Sequence, residues 1–185
     1  MATGHNSTVY SVMGLHPFSV YSFKVLAVNG VGLSQESEQS YYMITLREVP
    51  SGKPTITSAH NTSSDSIFLA WEPPHPGTLH GEFLGYKLSY RERDLDRENN
   101  TVVDIKGPGA RESTIKSLRV FTQYLVSLEV RNPEGLGPGT TVVVMTEEGV
   151  PSAPLNVSTH SITNTSVTVT WEQPSYPNGV IEGYR

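Results

Sequence analysis

The chain has 185 residues, a formal net charge of −5, 16 glycines, 13 prolines and no cysteine. The acidic balance argues against a nucleic-acid backbone as partner, because phosphate binding needs a clustered cationic surface. Lack of cysteine removes disulfides, cysteine nucleophiles and zinc–thiolate sites together. No apolar run approaches the roughly 20 residues that span a bilayer.

Taken in chain order, the segments read as short strands between glycine and proline turns. The opening residues MATGHNSTVYSV carry no basic stretch leading into an apolar core, so no secretory leader is predicted there. Tyr21, Phe23, Val25 and Ala27 alternate with more polar neighbours and predict a half-buried strand. In DSIFLAWEP, Ile67, Leu69 and Trp71 share one face; in GYKLSYRER, Tyr86, Leu88 and Tyr90 do. Tyr124, Val126, Leu128 and Val130 repeat the pattern, as do Val167, Val169 and Trp171. Gly30, Gly32, Gly135 and Gly137 read as turn glycines at positive φ. Short strands at this spacing, with turn residues between them, predict an all-β antiparallel sandwich.

The chain also repeats itself. Leu15, Tyr21 and Asn29 recur 103 residues later as Leu118, Tyr124 and Asn132, and Trp71 recurs 100 later as Trp171. Val49-Pro50 returns as Val150-Pro151, and Gly85-Tyr86 as Gly183-Tyr184. Such offsets predict a domain of about 100 residues in tandem. The phase of the repeat predicts the C-terminal part of one domain at 1–47, a complete domain at 48–148, and the N-terminal part of another at 149–185.

These residues together resemble fibronectin type III domains: a tryptophan closing the second strand, Gly-Tyr-x-Leu-x-Tyr in the third, and Leu-x5-Tyr leading into a strand closed by Asn-x-x-Gly-x-Gly. The resemblance covers essentially the whole chain. It implies tandem seven-stranded, immunoglobulin-like sandwiches without disulfides, with Leu15, Tyr21, Trp71, Tyr86, Leu118, Tyr124 and Trp171 in their cores. It also implies a tyrosine corner at Leu15/Tyr21 and Leu118/Tyr124, where the hydroxyl bonds back to the backbone near the leucine. Val120 stands where the first copy has Pro17 and the family usually has proline, a departure expected to loosen the second corner.

Candidate chemistry is sparse. Glu147 and Glu148 are adjacent on a linker, so their carboxylates should point apart rather than face each other across a cleft. Of His5, His16, His60, His75, His80 and His160, only His75 and His80 are close, in EPPHPGTLHGE with Glu82 nearby. Two histidines on a loop fall short of the three or four convergent ligands a metal needs, and both are expected to be solvent-exposed. There is no phosphate-binding glycine loop, no nucleophile elbow and no Arg-Gly-Asp, and the arginines of RERDLDREN are matched by acidic neighbours. The reading is therefore no catalytic residue, cofactor or metal.

Five of the nine asparagines lie in Asn-x-Ser/Thr: Asn6, Asn61, Asn99, Asn156 and Asn164. With serine and threonine roughly a fifth of the chain, about two would arise by chance, so the excess favours a secretory route. By resemblance, arrays of this kind occur in neural adhesion molecules and in receptor tyrosine phosphatases and kinases. The expectation is a non-catalytic spacer and protein-binding segment on the extracellular side of the plasma membrane, in a secreted or single-pass parent whose enzyme domain, if any, is separate. Its partners would be protein ligands or neighbouring domains of the same chain, with the membrane reached only through a segment outside these residues. His75, His80, Pro133 and Glu134 mark the loops expected to meet a partner, with Glu72–Gly81 and Asn132–Gly139 at one end of the sandwich. An intracellular structural array of the muscle giant-protein type, or an accessory module of a secreted enzyme, are the alternatives.

Overall fold

The computed structural model describes Gly4 and residues 6–185. Its strands are β1 (Val20–Tyr21), β2 (Met43–Ile44), β3 (Thr55–Ser63), β4 (Ser66–Glu72), β5 (Gly85–Glu92), β6 (Thr101–Lys106), β7 (Glu112–Ile115), β8 (Gln123–Asn132), β9 (Gly135–Leu136), β10 (Thr140–Met145), β11 (Leu155–His160) and β12 (Thr168–Glu172). Two single-turn 3-10 helices, Pro76–Thr78 and Arg97–Asn99, interrupt the loops.

The middle of the chain closes a sandwich of two antiparallel sheets. One runs in the order β3-β4-β7 and the other β10-β8-β5-β6, with the short β9 folded back on the end of β8. Alternation decides which side chains lie between them. Ile67, Leu69 and Trp71 from β4 meet Tyr86 and Leu88 from β5 and Tyr124, Val126, Leu128 and Val130 from β8, all buried. Trp71 packs edge-on against Tyr86 at 5.2 Å, and Phe83 does the same at 5.1 Å. Rings meeting edge to face gain beyond the area they bury. Gly85 opens β5 at φ +135°, and a Cβ there would lie 2.1 Å from the carbonyl oxygen of Ile105, so only glycine fits.

The flanking segments carry the same patterns with less around them. Trp171, on the hairpin of β11 and β12, is 44 % exposed where Trp71 is 1 % exposed, although it too meets a tyrosine, Tyr184, edge-on at 5.3 Å. Likewise Val25 and Val28 are exposed although Tyr21 and Phe23 are half-buried. Between β1 and β2 the expected regular strand over Tyr21–Ala27 gives way to a different pairing. The backbone N–H groups of Phe23, Val25 and Ala27 donate to the hydroxyls of Ser40, Ser37 and Ser34. The N–H groups of those serines return bonds to the same three residues' carbonyls. Serines spaced by three face partners spaced by two, so each rung has one residue too many for a ladder, and the hydroxyl fills the gap.

Of the four turn glycines, Gly135 alone takes positive φ, at +149°. Gly137 is required for a different reason: a Cβ would come within 2.9 Å of Pro50 Cβ and 3.1 Å of the Gly52 carbonyl, where the turn lies against the linker.

Candidate functional site

Two sets of bonds occur twice along the chain. The first is the tyrosine corner. The Tyr21 hydroxyl accepts from the His16 N–H at 2.8 Å and the Tyr124 hydroxyl from the Arg119 N–H at 2.9 Å. Around each hydroxyl the same set of bonds repeats. Thr45 and Thr146 accept from the N–H of Ser19 and Thr122, both at 2.9 Å, and donate to the carbonyls of His16 and Arg119 at 2.6 and 2.7 Å. Phe18 and Phe121 both sit near φ +50°. Val120 in place of proline does not loosen the corner, because the bond made there uses its carbonyl, which accepts from Thr122 Oγ1 as that of Pro17 does from Ser19 Oγ. Burial pushes the Tyr124 hydroxyl's pKa up, against the N–H bond it accepts from Arg119. Tyr86 is raised by burial as well, against the opposing pull of the Trp71 indole N–H beside its hydroxyl, and both groups are buried.

The second is a strap across each linker. At the first, the Glu48 N–H donates to the His80 carbonyl and the Ser51 N–H to the Thr78 carbonyl, both at 3.0 Å, while His80 Nδ1 bonds the Val49 carbonyl at 3.2 Å. At the second, the Gly149 N–H donates to the Asn178 carbonyl at 2.8 Å, the Ser152 N–H to the Tyr176 carbonyl at 2.9 Å, and Asn178 Nδ2 to the Val150 carbonyl at 2.8 Å. His80 and Asn178 both take left-handed φ, 53° and 50°, each ahead of a glycine. A side chain in that conformation can turn back and bond the passing backbone. The sequence signal for this strap was present in the repeated Val-Pro-Ser and in the residue-Gly pairs His80-Gly81 and Asn178-Gly179, but histidine and asparagine do not look alike until the backbone is seen.

At the first linker further groups close on the strap. Asn132 is 2 % exposed and uses its whole amide: Nδ2 donates to the carbonyls of Glu48 (2.7 Å) and Leu79 (2.9 Å), and Oδ1 accepts from the N–H of Glu134 (2.9 Å) and Gly135 (3.0 Å). Asn29 repeats only the turn half of this, accepting from Val31 and Gly32. Arg47 pairs with Glu82 at 2.6 Å and lies 5.7 Å over the Phe18 ring. The bond to Glu82 raises the Arg47 guanidinium above its ordinary value and holds the Glu82 carboxyl below its own.

The loops named from the sequence therefore divide. Glu72–Gly81 and Asn132–Gly139 do lie together, joined through the Asn132–Leu79 bond. His80 faces the linker rather than solvent: its side chain is 14 % exposed, with Ser51 Oγ 3.3 Å from Nε2 and Glu48 Oε2 3.7 Å from Nδ1. His75 is exposed, and its Nδ1 accepts from the Gly77 N–H. Pro133 and Glu134 are exposed at the turn. Glu82 is engaged by Arg47 and not by a histidine, and His5 lies outside the described residues. Among the described residues no three metal-ligating side chains converge, and no helix is long and apolar enough to cross a membrane.

These features define a class: a disulfide-free, immunoglobulin-like β-sandwich with a tyrosine corner, strapped to what precedes it. The profile of the Fibronectin type III domain matches residues 52–146, and the chain belongs to that family. It is 52 % identical, over 99 % of its length, to the putative receptor-type tyrosine-protein phosphatase mosPTP-1 of Aedes aegypti. It is 34 % identical over its full length to protein sidekick-2 of Mus musculus and 33 % identical over 95 % to the human cell adhesion molecule DSCAML1. The chain spans 14 %, 10 % and 9 % of those three proteins. Among solved structures, the FN1-FN3 domains of chicken CNTN1 superpose with a TM-score of 0.58 at 22 % identity, covering 87 % of this chain and 54 % of that one. That likeness is one of fold.

Proposed function

We propose that the chain is a non-catalytic extracellular segment of a receptor or adhesion ectodomain, acting as a semi-stiff spacer that also offers protein-binding surface. The observation that carries this reading is the strap, made by matching bonds at Glu48–Ser51 and at Gly149–Ser152. A linker whose backbone is bonded to the following unit, and which contains proline, has few conformations left. On this reading the units are 1–47, 48–148 and 149–185, and any enzymatic activity of the parent lies in another domain. Relatives named as a receptor-type phosphatase and a cell adhesion molecule support the setting. Partner contact falls to the exposed tips at His75, Pro133 and Glu134, and to neighbouring domains of the same chain, since His80 is occupied by the linker.

The extracellular part of this reading is tested by intact mass before and after glycosidase, on the chain secreted from animal cells behind a leader. A mass excess removed by the enzyme is expected. An unmodified mass from well-secreted protein would contradict it and favour the intracellular structural array.

A further inference from the structure

The complete domain holds two of the five sequons, Asn61 and Asn99, and the fold treats them differently. Asn61 lies inside β3, paired with Ile67 of β4 and on the same strand face as Ala59, which packs against the core. It is only partly exposed. Asn99 closes the 3-10 turn at the tip between β5 and β6, is exposed, and its amide makes only a long 3.4 Å bond to the Asp96 carbonyl. The third sequon residue, Thr101, is the first residue of β6 and is also exposed.

That strand is the open edge of its sheet. Among the described residues β6 pairs with β5 alone, so its other side presents unpaired N–H and C=O groups. It contains no proline, its pairing with β5 has no bulge, and Val102 and Val103 are 51 % and 39 % exposed. Such an edge is a template for pairing with another chain unless something covers it. Asp104, paired with Arg131, and Lys106 put charge at its far half, while the half beginning at Thr101 has none.

We propose that Asn99, and not Asn61, is the N-glycan attachment point of the complete domain, and that the glycan there covers the uncharged half of the β6 edge. In the transfer, Asn99 Nδ2 attacks the anomeric carbon of an oligosaccharide carried on a lipid pyrophosphate. The C–N bond forms, the C–O bond to pyrophosphate breaks, the lipid pyrophosphate leaves, and one amide proton is lost. A glycan placed on Asn61 would have to emerge from a paired, inward-leaning strand position, so molecules that fold and leave the cell are those without it.

The proposal rests on the extracellular reading, and site-resolved mapping separates the two. The chain is secreted from animal cells and digested, and the asparagine-to-aspartate conversion left by glycosidase is located by mass spectrometry. Asn99 converted and Asn61 unchanged is the expected result. Asn99 unchanged while Asn164 or another sequon converts would overturn the assignment and leave the extracellular reading standing; no conversion anywhere would overturn both. Asn99→Gln and Thr101→Ala each remove the sequon at an exposed position. Both should raise the self-associated fraction in sedimentation several-fold over the glycosylated parent. Two variants that stay as monomeric as the parent would overturn the shielding role.

Discussion

Asn132 offers the sharpest test of how the linker is held. Replacing it with alanine removes four hydrogen bonds of 2.7–3.0 Å at once, two to carbonyls and two from N–H groups, at a side chain that is 2 % exposed. Each such bond is worth about 0.5–1.5 kcal/mol net, and groups left buried cost about 1–3 kcal/mol each. Water can reach the exposed neighbours Pro133 and Glu134, which brings the expected total for Asn132→Ala to about 3 kcal/mol. For a domain of this size that lowers Tm by roughly 12–24 °C, read by calorimetry on the full chain. Asn132→Asp separates the two halves of the interaction. It keeps the acceptor for Glu134 and Gly135 but turns a carboxylate toward the Glu48 and Leu79 carbonyls. It should therefore cost at least as much as alanine and speed hydrogen exchange at the Glu48 and Ser51 amides. An aspartate variant as stable as the parent, with those amides still protected, would refute the reasoning.

Trp71→Ala should cost about 3–5 kcal/mol as a large buried aromatic is deleted, whereas Trp171→Ala, at a position 44 % exposed, should cost far less; equal shifts in the urea midpoint would contradict the burial. Tyr86 and Tyr124 have phenol pKa values raised by burial. The stability tied to this is fully present below the free phenol's value of about 10 and is lost as pH rises through the higher folded values. Denaturation midpoints should fall above that pH, with two tyrosines ionising late by ultraviolet absorbance, and a flat midpoint would count against it. Replacing only the exposed tip residues His75, Pro133 and Glu134 with glycine or serine should leave stability within about 1 kcal/mol. Extending the replacement through Leu79, His80 and Asn132 should not, and thermal melts of the two sets decide it.

The fold was legible because one signal dominates each strand. Alternation at Ile67, Leu69 and Trp71 fixes which face turns inward, and a slip of one residue would put all three into water. The tyrosine corner was legible through the resemblance, because Leu15/Tyr21 and Leu118/Tyr124 both keep the family's Leu-x5-Tyr. What did not show was the strap. Four of its six bonds run from linker backbone to loop backbone, where carbonyls and N–H groups are the same whatever the residue, and the other two come from a histidine at one linker and an asparagine at the other. The sequence around His80 predicts an exposed loop histidine, because its own neighbours, Leu79 and Gly81, give no hint that Val49 and Ser51 pass beside it. The serine rungs at Ser34, Ser37 and Ser40 were hidden by the alternation of Phe23, Val25 and Ala27, which predicts a ladder but says nothing of the spacing on the strand opposite. Asn-x-x-Gly-x-Gly marks Asn132 as the residue that closes a strand at a turn. Its second pair of bonds, reaching back to Glu48 across 84 residues of sequence, is a tertiary fact.

The central claim is that this segment stands outside the cell as a spacer. The most direct measurement inserts an epitope into the exposed turn at Pro108 and Gly109 of the parent protein and stains intact and permeabilised animal cells. Equal staining of the two is the result the account predicts. Signal only after permeabilisation would contradict it.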